Sequence, residues 1–452
     1  MKIKFIQLTT MLIVLFITMA ILQSCSEDLL QPEENEIITN DPILEEPEEP
    51  IVEEPIFTPE GSVEVFNANK VDENYILVND AAANRVYLMD KEARLLYEWT
   101  LTNNIGNDVF LLPNGKLLAS LESDNPQIKL GGKGGRLQFI DPDGTVDWDF
   151  IYSSLDGETH HDVELLPNGN IIAMVWEERS SIDALQAGFS LDTNVVVESI
   201  IEVNPNTNEI VWEWHSWDHL IQNQDETKNN HGVISEHPER ININYAAGSE
   251  NPTENKGDIM HANGIAYDKL NDVILLSVNF YSEIWVIDHS TSTQEAASSE
   301  GGNYGKGGDL VYRFGNPEAY DNTIGERLFH NNHFPNLLKG ADLGKLLIFS
   351  NGSDIEQSTV FELELPTTFD LKANADNELK ILWSFTDPEL YSGRISGAVT
   401  LPNGNILITE GDYGFWEVTR EKEVVWKCSS EGFFWRAYSY AKSAPEILSL
   451  GL

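Results

Sequence analysis

Basic residues are scarce in this chain: 28 Lys and Arg stand against 74 Asp and Glu, a formal net charge of −46. A surface of that sign repels phosphate backbones and anionic lipid, so nucleic acid is not an expected partner, and an anionic small ligand needs positive groups placed locally. Cysteine is nearly absent as well. With Cys25 and Cys428 alone, no disulfide framework can support the fold, which must rest on a large hydrophobic core. The apolar segments also lack a 3.6-residue period, which excludes a helical solenoid.

One apolar stretch stands at the start of the chain, MKIKFIQLTTMLIVLFITMAILQSC. Two lysines precede it, and it is too short and too soon followed by a cleavage-like site for an ordinary membrane span. Leu22-Gln23-Ser24-Cys25 fits a bacterial lipoprotein box, so residues 1–25 are expected to be a signal peptide that leaves an acylated Cys25. Acyl chains add about 0.8 kcal/mol of membrane affinity per buried methylene. The expected location is the bacterial cell envelope, lipid-anchored, facing the periplasm or at the cell surface. Residues 26–60 hold thirteen acidic residues, six prolines and no Lys or Arg. That composition cannot bury enough apolar surface to fold and predicts a disordered tether. Residues 61–452 then form one domain.

Within that domain a unit recurs six times: a strand, a polar turn, and a second strand closing on Trp or another aromatic. The copies run Arg85 to Trp99, Arg136 to Trp148, Ser199 to Trp212, Glu283 to Phe314, Val360 to Trp383 and Phe415 to Trp426. Most are preceded by a front unit such as LLPNGKLLAS, ELLPNGNIIAMVW or TLPNGNILITEG. Pro-Asn-Gly between apolar runs marks a hairpin, because Pro presets one turn dihedral and Asn-Gly tolerates positive φ. Front and tail together make four short strands. Four antiparallel strands repeated every 50 to 60 residues or so are the unit of a β-propeller, whose blades cover one another's faces. Six tails predict six blades.

At one phase of this repeat stand polar residues. His161, Asn107 and Ser396 each lie six residues before the turn proline, and His261 and His333 hold the comparable strand start in looser copies. In a propeller these positions ring one mouth of the central channel, so three histidines distant in sequence are expected to meet. Alternation along a strand predicts that His160 points away from His161, and His330 is close enough to rival His333. His215 and His219 are expected to pack against an aromatic cluster, and His231, His237 and His289 to be solvated. The Gly-rich runs GGKGGR and GGNYGKGGD lack the residues of a phosphate loop and read as flexible insertions.

The segments GETHHDVELLPNGNIIAMVWE, WEWHSWDHLIQ, GDIMHANGIAYDKLNDVILLSVNFYSEIWVIDHSTST, GKGGDLVYRFGNPEAY, LFHNNHFPNLL, LLIFSNG and ISGAVTLPNGNILITEG together resemble the bacterial arylsulfotransferase family, from about Val63 to Tyr440. The resemblance implies a six-bladed propeller in the bacterial envelope. It also implies sulfuryl transfer from a phenolic sulfate donor to a phenol acceptor by ping-pong turnover through a sulfohistidine, with no adenosine sulfate or other cofactor. Carried over by residue, it makes His333 the nucleophile and His161 and His261 its supporting histidines. The family's active-site arginine, eighteen residues beyond the histidine matching His261, corresponds here to Asn279, which can donate a hydrogen bond but brings no charge. The family's Gln-His pair is Asn332-His333 here. Arg394, Arg313 and Arg436 are the candidates for a replacement cation. Two other readings remain open from the residues alone: a three-histidine metal site, and a propeller that binds a glycan or a protein.

Overall fold

The computed structural model describes residues 58–154, 156–248 and 257–452. The expected signal peptide, Cys25 and nearly all of the expected tether lie outside the described residues.

Among the described residues, six antiparallel sheets make up the body of the domain, beside a two-stranded parallel pair, Leu220–Ile221 with Ile241–Asn242. Blades 2 to 5 follow the chain, each built from four strands that begin respectively at Ile105–Leu111, Glu158–Leu165, Ala262–Asp268 and Asn332–Leu337. These first strands, with Gly397–Thr400 of blade 6 and Phe434–Tyr440 of blade 1, contact one another in sequence and close a ring around the axis. The sheets are therefore the blades of a six-bladed all-β propeller. Every tail read from the sequence forms the third and fourth strands of one blade counted from the axis, as in Arg85–Met89 with Leu95–Trp99.

Closure uses both ends of the domain. Phe434–Tyr440, the last strand, pairs with Tyr75–Asp80 and becomes the innermost strand of blade 1. Ser62–Phe66, the first described strand, pairs with Val424–Ser429 and becomes the fifth and outermost strand of blade 6. The fastening is reciprocal, so neither blade 1 nor blade 6 can form completely without the opposite end of the chain.

The middle strands carry unbroken apolar runs because both sheet faces are covered by neighbouring blades. Along Leu117–Glu122, Leu117, Ala119 and Leu121 pack toward blade 1 while Leu118 packs toward blade 2's other neighbour. Lys345–Ser350 does the same, with Leu346 and Ile348 on one side and Leu347 and Phe349 on the other. Each buried Leu, Ile or Phe among them contributes about 1.5 to 3 kcal/mol relative to exposure. The turns behave as their residues require: Gly115, Gly169 and Gly404, each the Gly of Pro-Asn-Gly, have φ of 81°, 87° and 89°.

Where a tail ends in tryptophan, the indole commonly ties its blade to the next. The indole N–H of Trp148 donates to Asn208 Oδ1, that of Trp383 to Arg420 O, and that of Trp426 to Lys91 O, each at the outer turn of the following blade. An indole supplies a large apolar face and one donor, so a single residue type serves both packing and spacing. Trp99 is the exception. Its Nε1 is buried without a partner, and Tyr97 makes the inter-blade bond instead, to Pro142 O.

Candidate functional site

The inner strands are not regular, and their irregularities shape the site. Pairing shifts by a bulge beside Met174 in blade 3, between Ala262 and Gly264 in blade 4, and between His333 and Asn336 in blade 5. His161 and His261 sit at φ of 50° and 48°, and Asn331 and Phe334 flank His333 at 59° and 55°. Non-glycine residues in this region cost about 1 to 3 kcal/mol each and persist where surrounding contacts overrule the strain. Here a bulge re-aims the side chain toward the axis.

Three histidines meet as a result. The rings of His161 and His261 are 5.0 Å apart, edge to face. Trp435 joins His161, at 5.2 Å, to His333, at 5.7 Å. Phe280 stacks on the far side of His261 at 5.0 Å. His161 and His333 are almost wholly buried, and the His261 side chain keeps 20% exposure.

All three rings are anchored through the same nitrogen. His333 Nδ1 lies 2.6 Å from Asn351 Oδ1, His261 Nδ1 2.6 Å from Asp258 Oδ2, and His161 Nδ1 2.8 Å from His160 Nδ1. No group among the described residues hydrogen-bonds to the Nε2 of any of them. The three Nε2 atoms are thus the unoccupied polar positions of the cluster.

The partner of each Nδ1 determines what its ring can do. Asn351 donates both amide hydrogens, to Ser392 O and Ile395 O at 2.8 Å each. Its oxygen can therefore only accept, so His333 carries its proton on Nδ1 and a lone pair on Nε2. Burial, with the nearby charges of His261 and Arg436, lowers the His333 pKa to about 3. His161 is driven well below its usual range by burial and by His261 and His160, so it too is neutral. His261 differs: burial opposes its charge, but Asp258, through both field and hydrogen bond, and Glu198 hold its pKa above the ordinary value. The cluster thus sets one imidazole disposed toward the charged form beside two held toward neutrality.

His160 departs from expectation. Because His161 is twisted into the left-handed region at the bulge, strict alternation fails, and His160 faces His161 rather than pointing away. Its ring stacks on Trp176 at 4.1 Å, and its Nε2 lies 2.9 Å from Glu198 Oε2. Burial lowers His160 and raises Glu198 well above the carboxylate range, so this contact is a hydrogen bond between groups pushed toward neutrality and not an ion pair.

Asn279 sits against the cluster without entering it as a charge. Its N–H donates to His261 O at 3.2 Å, its Nδ2 to Asn332 O at 3.2 Å, and its Oδ1 accepts from Asn331 at 3.0 Å. It holds the backbone before His333 to the backbone of His261. Asn332 turns toward blade 4, donating to Ser277 Oγ and Glu283 O. None of the three candidate arginines is a free cation. Arg436 is gripped by Asp162 at 2.8 and 2.7 Å, Arg313 is locked to Glu283 inside blade 4, and Arg394 reaches Asp412 on the surface.

Other expectations are corrected. GGKGGR is no loose insertion: Gly132 O accepts from His161 N at 3.0 Å and from Asn107 Nδ2 at 2.9 Å, and a Cβ at Gly132 would stand 2.1 Å from the His161 ring. GGNYGKGGD packs likewise, with Gly308 against His219. His289 is not solvated. It bonds Asp272 and Glu202 at 3.0 Å each and abuts Trp212. His330 is taken by Asp354, away from the cluster. His219 does pack against Trp214, as expected, and is also bonded to Asp309. Among the described residues no group of three His, Cys, Asp or Glu is arranged to hold a metal ion.

Sequence reasoning missed Asp258, Asn351, Glu198 and Trp435. The first two stand inside recognised segments, GDIMHANG and LLIFSNG, where polar residues at strand ends were the available signal. Glu198 and Trp435 had none, since Glu198 reaches His160 from another strand of blade 3 and Trp435 arrives on the last strand, which closes blade 1. Cavities of about 490 and 570 Å³ lie elsewhere, the first between Trp217, Asp218, His231, Arg240 and Asp309, the second beside Glu60 and Tyr413. Neither holds free imidazole nitrogens arranged as in the channel, and the chemistry singles out the channel cluster.

No curated protein matches the chain. Among solved structures, a protein assigned as a 6-phosphogluconolactonase from Bacteroides fragilis is 9% identical over 83% of this chain and 99% of that one, with a TM-score of 0.41. Another from Bacteroides uniformis is 10% identical over 83% and 87%, TM-score 0.39. Hydrazine synthase of Kuenenia stuttgartiensis is 14% identical over 66% and 68%, TM-score 0.37. Such scores are too low to inform fold or function. The sequence model of the Arylsulfotransferase (ASST) family, in contrast, matches residues 62–433, which span the propeller almost from end to end and contain all three channel histidines, and the chain belongs to that family.

Proposed function

We propose that the protein moves a sulfuryl group from a phenolic sulfate to a phenolic acceptor through a sulfohistidine on His333. The observation that carries this reading is the anchoring of His333 Nδ1 by the amide of Asn351, which leaves a lone pair on Nε2 in a ring that burial keeps neutral. Nε2 forms a bond to sulfur as the phenolic S–O bond breaks, and the electron pair leaves with the phenol oxygen. The adduct is an imidazolium bearing a sulfonate, neutral overall. An amide accepts the Nδ1 hydrogen without removing it, so the ring stays a good leaving group for the second transfer; a carboxylate there would favour a poorer one.

The transition state spreads negative charge over the sulfuryl oxygens and requires nearby positive charge. The imidazolium of His261, maintained by Asp258, is the group suited to supply it, since Asn279 carries none and Arg436 is neutralised by Asp162. A lipidated Cys25 in the bacterial envelope completes the reading.

Rapid mixing with 4-nitrophenyl sulfate and phenol tests it. A stoichiometric burst of 4-nitrophenol, and one sulfuryl group on the His333 peptide by mass spectrometry, are expected; absence of both would discard the mechanism. Labelling with a clickable fatty acid should mark the wild type and not Cys25→Ala.

A further inference from the structure

The mechanism above leaves a proton unassigned: a departing phenolate of ordinary basicity must gain one and the incoming phenol must lose one. Behind His161 lies a continuous buried path. His161 Nδ1 is 2.8 Å from His160 Nδ1, and His160 Nε2 is 2.9 Å from Glu198 Oε2. Glu198 is fixed at its other oxygen, which accepts from Ala262 N at 2.8 Å. Trp176 clamps His160 in plane, at 4.1 Å and 5°.

Each of the two short contacts holds exactly one proton, so the path has two complete arrangements. In one, Glu198 is a carboxylate, His160 donates from Nε2, His161 donates from Nδ1, and His161 Nε2 presents a lone pair. In the other, Glu198 holds the proton and donates to His160 Nε2, His160 donates from Nδ1, and His161 Nε2 bears hydrogen. Both imidazoles are neutral in both arrangements, and the second differs from the first by a single added proton.

We infer that Glu198, His160 and His161 form a proton relay that serves both halves of the transfer, with Glu198 as its store. The inference rests on the sulfuryl-transfer reading of the site. In the donor half the filled path gives the His161 Nε2 proton to the phenolate oxygen as the S–O bond breaks, and the two internal protons shift until Glu198 is a carboxylate. In the acceptor half, the emptied path takes the proton of the phenol hydroxyl as its oxygen bonds to sulfur and the N–S pair returns to His333. The path refills, and no proton need come from solvent. Burial of Glu198 suits the store, because it destabilises the carboxylate and keeps the two arrangements close in energy. The charged or titratable groups facing the path are Asp258, Asp162, His261, His333 and Arg436. His161 is the catalytic member; His160 and Glu198 act through it.

The test is Glu198→Gln. The glutamine oxygen can keep the Ala262 contact and its amide can donate to His160, but it cannot exchange a proton. The 4-nitrophenol burst, whose phenolate leaves without protonation, is expected to stay within about threefold of wild type. Turnover with phenol as acceptor should fall about 100-fold, as general acid–base loss does, and the penalty should grow with the basicity of the leaving phenol. In the wild type, kcat/KM for the acceptor should decline toward acid as the path fills, a limb the variant lacks. Glu198→Asp should restore part of the rate. His160→Phe, which keeps the stack on Trp176, should behave as Glu198→Gln. Wild-type acceptor turnover in both variants overturns the relay, as does an equal loss of burst and turnover that ignores phenol basicity in proteins of unchanged melting temperature. A wild type without any burst overturns the sulfohistidine reading itself, and the relay with it.

Discussion

Blades 3, 4 and 5 place histidines at the phase of the repeat where blades 2 and 6 place Asn107 and Ser396. The two groups share a strand position and a buried setting, yet only the first presents unpaired nitrogens. Asn107 spends its amide on Gly132 O, and Ser396 Oγ accepts from Gly411 N at 3.1 Å. The difference teaches that in this propeller a polar residue facing the axis is structural when its polar atoms are consumed locally. It becomes a candidate for chemistry when a ring anchored at one nitrogen has a second nitrogen to spare. Asn107 even serves the other group, since Gly132 O, which it fixes, also accepts from His161 N.

The comparison breaks most severely at Gly132. Gly132→Ala would place Cβ 2.1 Å from the His161 ring at a φ of +86°. A displaced imidazole should lower turnover by at least about 100-fold, measured with 4-nitrophenyl sulfate and phenol at unchanged circular dichroism. Near-normal turnover would mean that the orientation of His161 is dispensable.

Asp258→Asn probes the charged member. The His261 pKa is raised, so the imidazolium is fully present at low pH and is lost as pH rises through that raised value; any stability it adds follows the same course. Donor kcat/KM should fall on the alkaline side for that reason. Without the carboxylate, the fall should begin about one pH unit or more lower, and a profile identical to wild type would contradict the role given to His261. The same logic makes Asn279→Arg harmful. Its amide contacts to Asn332 and Asn331 would be lost at a site that already has a cation, and a drop of roughly tenfold, about 1.4 kcal/mol of barrier, is expected. A rise in transfer rate would show that His261 falls short of the charge required. The smallest effect belongs to Ser396→Ala. Losing one acceptor for Gly411 N should cost about 1 kcal/mol in urea unfolding and leave turnover within about twofold, as befits a purely structural position.

Much of the fold was legible because its code is local. Pro-Asn-Gly turns, paired apolar runs and terminal tryptophans occur within a dozen or so residues, and all six tails form the third and fourth strands of their blades. The convergence of His161, His261 and His333 followed from the repeat. What escaped notice was long-range. Phe434–Tyr440 carries no turn signal linking it to Tyr75–Asp80, so neither its place in blade 1 nor the role of Trp435 could be read from pattern. His160 was misdirected because a bulge, invisible in periodicity, rotates His161 out of alternation. The Gly-rich runs read as flexible because glycine permits both mobility and close approach, and only the neighbours at Gly132 and Gly308 decide between them.

By itself the sequence determined a disulfide-free, strongly acidic domain of six four-stranded units, with apolar faces that each need a neighbour and histidines at one recurring phase. The tertiary structure alone decided how the ring closes, which nitrogen of each histidine is anchored, where the proton of His333 resides and that His261 is the one whose surroundings favour charge. The reason is physical. Turn chemistry and strand pattern act between near neighbours, whereas a tautomer or a pKa is set by whatever atom lies within hydrogen-bond reach. For His333 that atom is on Asn351, and for the relay behind His161 it is on Glu198, in another strand of the blade.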